Sequence, residues 1–172
     1  MSKTIILIPS RLAATRLPNK PLLKINGTSI INHVYEKAKS SNIGEVFVAT
    51  GDQEIFKEVT KKGGKCILTE KEHQTGTDRI FEAYQKLEIQ DVDYIINLQG
   101  DEPMIDIEDI ISLKSKAINA KSKIATLASK IKDEKIFKDE NIVKVITDKE
   151  LLFENIVNAK SFSRNTLTIL SS

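Results

Sequence analysis

Apolar positions along the chain fall into two rhythms, short unalternating runs and longer stretches with helical spacing. Residues 4–8 (TIILI) are β-branched and apolar throughout, as a strand buried on both faces of a parallel sheet requires. Pro9 is expected to stop that strand, since it has no N–H to donate. Asn26-Gly27 is a turn signal, and Ser29 stands where it can cap a helix whose apolar positions Ile30, Ile31, Val34 and Ala38 recur at helical spacing. Residues 45–50 (EVFVAT) give a second strand, residues 53–62 a polar helix closed by Gly63-Gly64, and residues 65–69 a third strand. A loop over 73–79 then leads into a helix carrying Ile80, Phe81, Tyr84 and Leu87, with Thr77 as a candidate cap. Residues 93–99 (DYIINLQ) read as a fourth strand and, being apolar at nearly every position between the ends, as the most central one. A helix over 107–118 follows, then strands at 123–130 and 141–147 around a charged connection at 132–140. This alternation of strand and helix predicts an α/β protein with a mostly parallel sheet.

From Leu151 the chain turns apolar and β-prone, with no turn or charged stop after Leu170. Domains rarely finish on an uncovered strand, so the expectation is that a longer sequence continues from this one. The 172 residues themselves fit a single domain spanning 1–172 with one substantial core.

Charge changes the picture mainly by exclusion. With 26 Lys and Arg against 24 Asp and Glu, and the lysines dispersed, nothing resembles an electrostatic footprint for nucleic acid. No apolar segment approaches membrane-spanning length, and residues 4–8 are too short for a signal-peptide core, so the expected setting is the cytoplasm, away from membranes. The one cysteine, Cys66, excludes an internal disulfide and lies in an apolar run, where it reads as a small buried hydrophobe. His33 reads as a surface or packing residue, because no second His or Cys stands at metal-binding spacing.

Candidate chemistry gathers where predicted strands end. After residues 4–8 the loop carries Arg11, Arg16 and Lys20, and Pro18 and Pro21 keep it from becoming a regular helix. Open parallel sheets bind ligands at the carboxyl ends of their strands, so three cations there suit an anion such as a polyphosphate; a solvated basic turn is the alternative. The GxxxxGK[ST] pattern of a P-loop is absent. In the 73–79 loop, Thr75, Thr77 and Arg79 crowd directional hydrogen-bonding groups onto the same sheet edge, as base recognition requires, while a capping turn with Asp78 facing the helix dipole explains them without a ligand. Past the fourth strand, Gly100-Asp101-Glu102-Pro103 sets two carboxylates at a constrained turn. Magnesium favours one or two carboxylates with waters and phosphate oxygens, so this turn complements the basic loop; an acidic turn before the next helix is the alternative.

Four stretches, IPSRLAATRLPNKPL from Ile8, VATGD from Val48, HQTGTDR from His73 and NLQGDEPMI from Asn97, together resemble the 3-deoxy-manno-octulosonate cytidylyltransferases, the CMP-Kdo synthetases of bacterial lipopolysaccharide biosynthesis. The similarity runs up to Arg164. The opening loop is shared with other sugar nucleotidylyltransferases, including those for acylneuraminates, whereas HQTGTDR with QGDEP is more specific. The resemblance implies a Rossmann-like nucleotide-diphospho-sugar transferase fold, with helices on both faces of the sheet, that joins CTP and Kdo with magnesium and releases pyrophosphate. It implies that Arg11, Arg16 and Lys20 neutralise the triphosphate, that Asp101 holds the metal, and that Thr75, Thr77 and Arg79, with backbone near Pro9 and Ser10, read the cytosine. Gln99 would lie near the sugar acid or nucleotide and Arg164 at the sugar side.

The pattern is departed from after Arg164, where the family continues with Ile-Pro and this chain has Asn165-Thr166-Leu167-Thr168. The family's later Gly-Val-Asp-Thr-Pro motif, with its second metal-binding carboxylate and much of the homodimer surface, is not in this sequence. A CTP-binding protein without turnover, or a transferase for another sugar acid, are therefore the competing expectations.

Overall fold

The computed structural model of the chain describes residues 2–13, 17–152 and 155–165. Packing divides the chain into two compact units, Met1–Ile111 and Ser112–Ser172, where length alone suggested one domain.

In the first unit, β1 (Thr4–Ser10) is buried at every residue, as its unalternating apolar run predicts. It continues through Pro9 where a stop was expected, and register explains why. The Leu7 carbonyl accepts from Leu98 N at 3.1 Å, so odd positions of β1 face the strand that pairs Thr4–Leu7 and ends at Asn97. Pro9 has the same orientation two residues further on, beyond that strand's end, where no ladder donor is required. A 3-10 turn at Lys20–Leu22 is followed by a two-stranded hairpin, β2 (Lys24–Ile25) and β3 (Thr28–Ser29). Its Asn26-Gly27 turn has positive φ at both residues (50° and 80°), the backbone twist that two-residue hairpins favour.

Helix α1 (Ile30–Ser40), strand β4 (Glu45–Thr50), helix α2 (Gln53–Lys61) and strand β5 (Cys66–Leu68) follow close to expectation. Ser29 does occupy the N-cap of α1, but its hydroxyl accepts from the Asn32 side chain at 2.8 Å instead of capping the backbone. Helix α3 spans Gly76–Leu87 and β6 spans Tyr94–Asn97. The parallel sheet has the order β5-β4-β1-β6. Apolarity misplaced its centre: among the described residues β6 lies at an edge, with Ile95 40% exposed, and β1 and β4 are the interior strands.

Alternation along β1 builds two cores. Ile6 and Ile8 point to one face, where they pack with Ile31 and Val34 of α1 and Ile55 and Val59 of α2. Ile5 and Leu7 point to the other, against Ile80 and Ala83 of α3. Each such fully buried aliphatic side chain stabilises the fold by about 1.5–3 kcal/mol, and helices on both faces follow directly. Phe81, expected on the apolar face of α3, is 60% exposed, because at helical spacing it falls outside the side that Arg79, Ile80 and Ala83 bury.

Helix α4 (Ile107–Asn119) crosses the boundary between units. In the second unit, α5 (Glu134–Lys138) forms inside the charged connection, its first turn capped by Asp133 accepting from Lys135 N at 2.7 Å. The 141–147 prediction is met by β7 (Lys144–Thr147), which pairs antiparallel with β8 (Ala159–Ser163) and not within the parallel sheet. The strand expected over 123–130 does not form: these residues pair with no strand, and Ile124 stays 93% exposed. No helix among the described residues is long and apolar enough to cross a membrane.

Candidate functional site

Three chain segments leave the sheet at the carboxyl ends of β1, β5 and β6 and enclose a cavity of about 900 Å³ in the first unit. This is where ligands enter open parallel sheets, because the loops there converge while the strands stay fixed.

The first segment is the basic loop. Pro9, Ser10 and Arg11 line the cavity at its start, and Lys20 and Pro21 at its end. Leu12 N donates to the Asp52 carboxylate at 2.8 Å, so a carboxylate at the N-cap of α2 anchors the loop rather than its own helix. That anchoring role was missed from sequence, although VATGD marks the residue. Asn19 takes a left-handed conformation (φ 59°) that turns the chain into the 3-10 turn carrying Lys20. Arg16 lies outside the described residues.

The second segment follows β6. Gln99, Gly100 and Asp101 line the cavity, and Asp101 Oδ2 accepts from Lys20 Nζ at 2.8 Å. A side chain at Gly100 would meet the Pro9 carbonyl at 2.8 Å and Ile31 and Ile8 carbons at 3.3 Å, so only glycine lets the Asp101 turn lie against β1. Cation and carboxylate thus face each other across one crevice.

The third segment, between β5 and α3, contributes His73, Gln74, Thr75, Gly76 and Arg79. Thr75, not Thr77, caps α3: its hydroxyl accepts from Asp78 N at 3.1 Å, and the Asp78 carboxylate accepts from Thr75 N at 2.9 Å. Thr77 sits within the first turn and is not part of the cavity wall. Arg79 is 3% exposed and donates to Thr69 Oγ1 at 2.6 Å and to the carbonyls of Glu70 (2.9 Å) and Lys71 (3.0 Å). Its guanidinium therefore braces residues 69–71. Burial lowers its pKa, nearby Asp52 acts against that, and Arg11 reinforces it.

Sequence reasoning passed over His73. Its Nε2 is 2.7 Å from Glu82 Oε2, the imidazole is 11% exposed, and Nδ1 is buried without a hydrogen-bond partner. Ser10 Oγ, at the end of β1, is also buried and unpartnered. Such groups cost roughly 1–3 kcal/mol each when unsatisfied, and both belong to residues lining the cavity. Nothing in the helical or strand periodicity signals them, because the contact between His73 and Glu82 is tertiary.

Arg164 belongs to the second unit, where its guanidinium donates to the Asn141 carbonyl at 2.7 Å. His33 is a packing residue, its Nε2 within 2.9 Å of the Ile25 carbonyl. Burial pushes the Cys66 thiol up to about 12, which suits an inert hydrophobe.

Among the described residues no group of three His, Cys, Asp or Glu side chains converges as a metal cage. The donor set at the cavity, one carboxylate facing a cation, suits magnesium carried in with phosphate oxygens and waters and not a dedicated protein-held ion.

A profile of the cytidylyltransferase family matches residues 5–170. The 3-deoxy-manno-octulosonate cytidylyltransferase of Thermodesulfovibrio yellowstonii is 49% identical over 152 residues, covering 85% of this chain and 60% of that protein. The enzyme of the same name from Cytophaga hutchinsonii is 44% identical over 171 residues, covering 96% of this chain and 64% of the relative. Among solved structures, a CMP:2-keto-3-deoxy-manno-octonic acid synthetase complexed with CTP superposes with a TM-score of 0.79 at 35% identity, over 96% of this chain and 66% of that one. The chain thus spans about 60–66% of the length of these three proteins.

Proposed function

The chain belongs to the cytidylyltransferase family, and on that premise we propose that its cavity binds CTP for transfer of the cytidylyl group to Kdo, giving CMP-Kdo and pyrophosphate for lipopolysaccharide biosynthesis. The observation that carries this reading is the facing of Lys20 and Asp101, 2.8 Å apart on a cavity that Arg11 also lines, within a fold shared with a CTP-complexed synthetase.

In the reaction, an oxygen of the Kdo anomeric hydroxyl forms a bond to the α-phosphorus while the bond from that phosphorus to the bridging oxygen of pyrophosphate breaks. The protein's part is positioning and charge stabilisation, as is general for transfer at phosphorus. Arg11 and Lys20 neutralise the triphosphate and the charge that accumulates on the departing pyrophosphate, and Arg16 belongs to the same basic loop. Asp101 would hold magnesium together with phosphate oxygens; bound there, the ion would supply Lewis-acid stabilisation of the phosphate charge. Gln99 sits beside Asp101 on the cavity wall, where it can orient the attacking sugar or the nucleotide.

One carboxylate on the cavity supports weak magnesium binding by these residues. CTP binding without turnover is accordingly the competing outcome. Titration calorimetry with CTP and magnesium, paired with a pyrophosphate-release assay using Kdo and an acylneuraminate side by side, tests both. Release with Kdo supports the transferase reading, binding without release supports a binding protein alone, and no binding refutes both. A cytoplasmic location is part of the same proposal.

A further inference from the structure

We infer that Asp52 is a positioning residue for the triphosphate: by holding the Leu12 amide it fixes the gap between Arg11 and Lys20 before any nucleotide arrives. This rests on the CTP-binding reading above and adds to it the residue that sets the spacing of the cations.

Leu12 is the neck of the basic loop. Its N–H donates to Asp52 Oδ2 at 2.8 Å, and its carbonyl accepts from Asn19 N at 3.3 Å. Leu12 and Asn19 are thereby tied together, which closes the loop on itself as in other compact surface loops. Arg11 stands immediately before this neck and Lys20 immediately after it, and both line the cavity. One bond from Asp52 therefore locates two cations at once.

The anchor is itself fixed. Asp52 N donates to Thr50 Oγ1 at 3.1 Å, and the Asp52 carbonyl accepts from Phe56 N at 3.1 Å in the first turn of α2. Thr50 is fully buried and stands in register with Ser10 of β1 and Leu68 of β5. An aspartate at an N-cap ordinarily accepts from an amide of its own helix. Asp52 has the extended backbone of such a residue (φ −101°, ψ 119°), yet its side chain makes no capping bond. The carboxylate is turned to Leu12 instead, so the helix end gives up its usual partner to the basic loop.

Sign separates positioning from plain charge. Asp52 is an anion bonded next to the cavity-lining Arg11, and by charge alone its removal strengthens the binding of a polyanion. Positioning predicts the reverse. With the Leu12 amide released, Arg11 and Lys20 lose their preset spacing, and contacts to the β- and γ-phosphates weaken. CMP, with one phosphate, does not need both cations at a set distance. Asparagine keeps an acceptor oxygen at the same place without the charge.

The test is calorimetric titration of the full chain, of Asp52→Ala and of Asp52→Asn with CTP and with CMP in the presence of magnesium, together with hydrogen exchange at the Leu12 amide of the nucleotide-free, unmodified chain. Asp52→Ala should bind CTP roughly tenfold more weakly and CMP nearly as before. Asp52→Asn should keep the CTP-over-CMP preference. The Leu12 amide should be protected without nucleotide, because its acceptor is already in place. Unchanged or tighter CTP binding in Asp52→Ala, equal weakening of CTP and CMP, an Asp52→Asn as weak as Asp52→Ala, or a freely exchanging Leu12 amide would overturn the inference while leaving CTP binding intact. Failure of the unmodified chain to bind CTP would overturn the functional reading and this inference with it. The exchange measurement needs no substitution, so an alanine variant that misfolds does not blunt the test.

Discussion

Lys20 and Asp101, 81 positions apart in sequence, meet at 2.8 Å between the loop that follows β1 and the turn that follows β6. Their side chains are 32% and 54% exposed, and an ion pair so open to water contributes little to folding. Asp101→Asn should therefore change stability by less than about 0.5 kcal/mol and yet remove most of the magnesium dependence of CTP binding. Denaturant melts and calorimetry with and without magnesium measure the two effects separately. A large loss of stability with unchanged nucleotide binding would mark the pair as structural.

Arg79 should behave in the opposite way. Its buried guanidinium holds one hydroxyl and two carbonyls of residues 69–71, none of which has water as a ready substitute. Removing a charged donor of this kind typically costs about 2 kcal/mol or more, so Arg79→Ala should lower the denaturant midpoint clearly. Arg79→Lys should recover only a fraction, because an ammonium cannot reproduce the planar fork.

Gly100 couples the core of Ile8 and Ile31 to the site. A methyl group there would press on the Pro9 carbonyl at 2.8 Å, so Gly100→Ala must displace either β1 or the turn bearing Asp101. The expected result is a loss of about 1–3 kcal/mol together with weaker CTP binding. A crystal structure of the variant should show the displacement.

Glu82 gives the fold an acid-sensitive element. Its carboxyl is held below the ordinary glutamate range in the folded chain, so its contribution to stability is present above the unfolded value of about 4.3 and disappears as pH falls through the lower folded value. The stability difference between the unmodified chain and Glu82→Gln should be constant above pH of about 5 and shrink below about 4. Melting curves across that range check it.

Much of the first unit was legible because its signals are local. The buried β1, the α1 spacing and the EVFVAT strand each declare themselves within a few residues, and they set the sheet edge where the cations and Asp101 meet. What escaped was set by partners distant in sequence. The apolarity of β6 says nothing of which strands flank it, the apolar content of residues 123–130 does not supply a pairing strand, and the contact of His73 exists only because Glu82 on α3 turns towards it. Thr77 was the expected cap, and only the reciprocal bonds with Asp78 reveal Thr75 in that place.

Calorimetric titration of the chain with CTP and magnesium, repeated on the Arg11→Ala, Lys20→Ala double variant, is the most direct check that one cavity with converging cations holds the nucleotide. The prediction is saturable binding by the unmodified chain and a loss of roughly 100-fold in the double variant, from two charge-assisted contacts, with melting behaviour unaltered. Equal CTP affinity in the two proteins would contradict it.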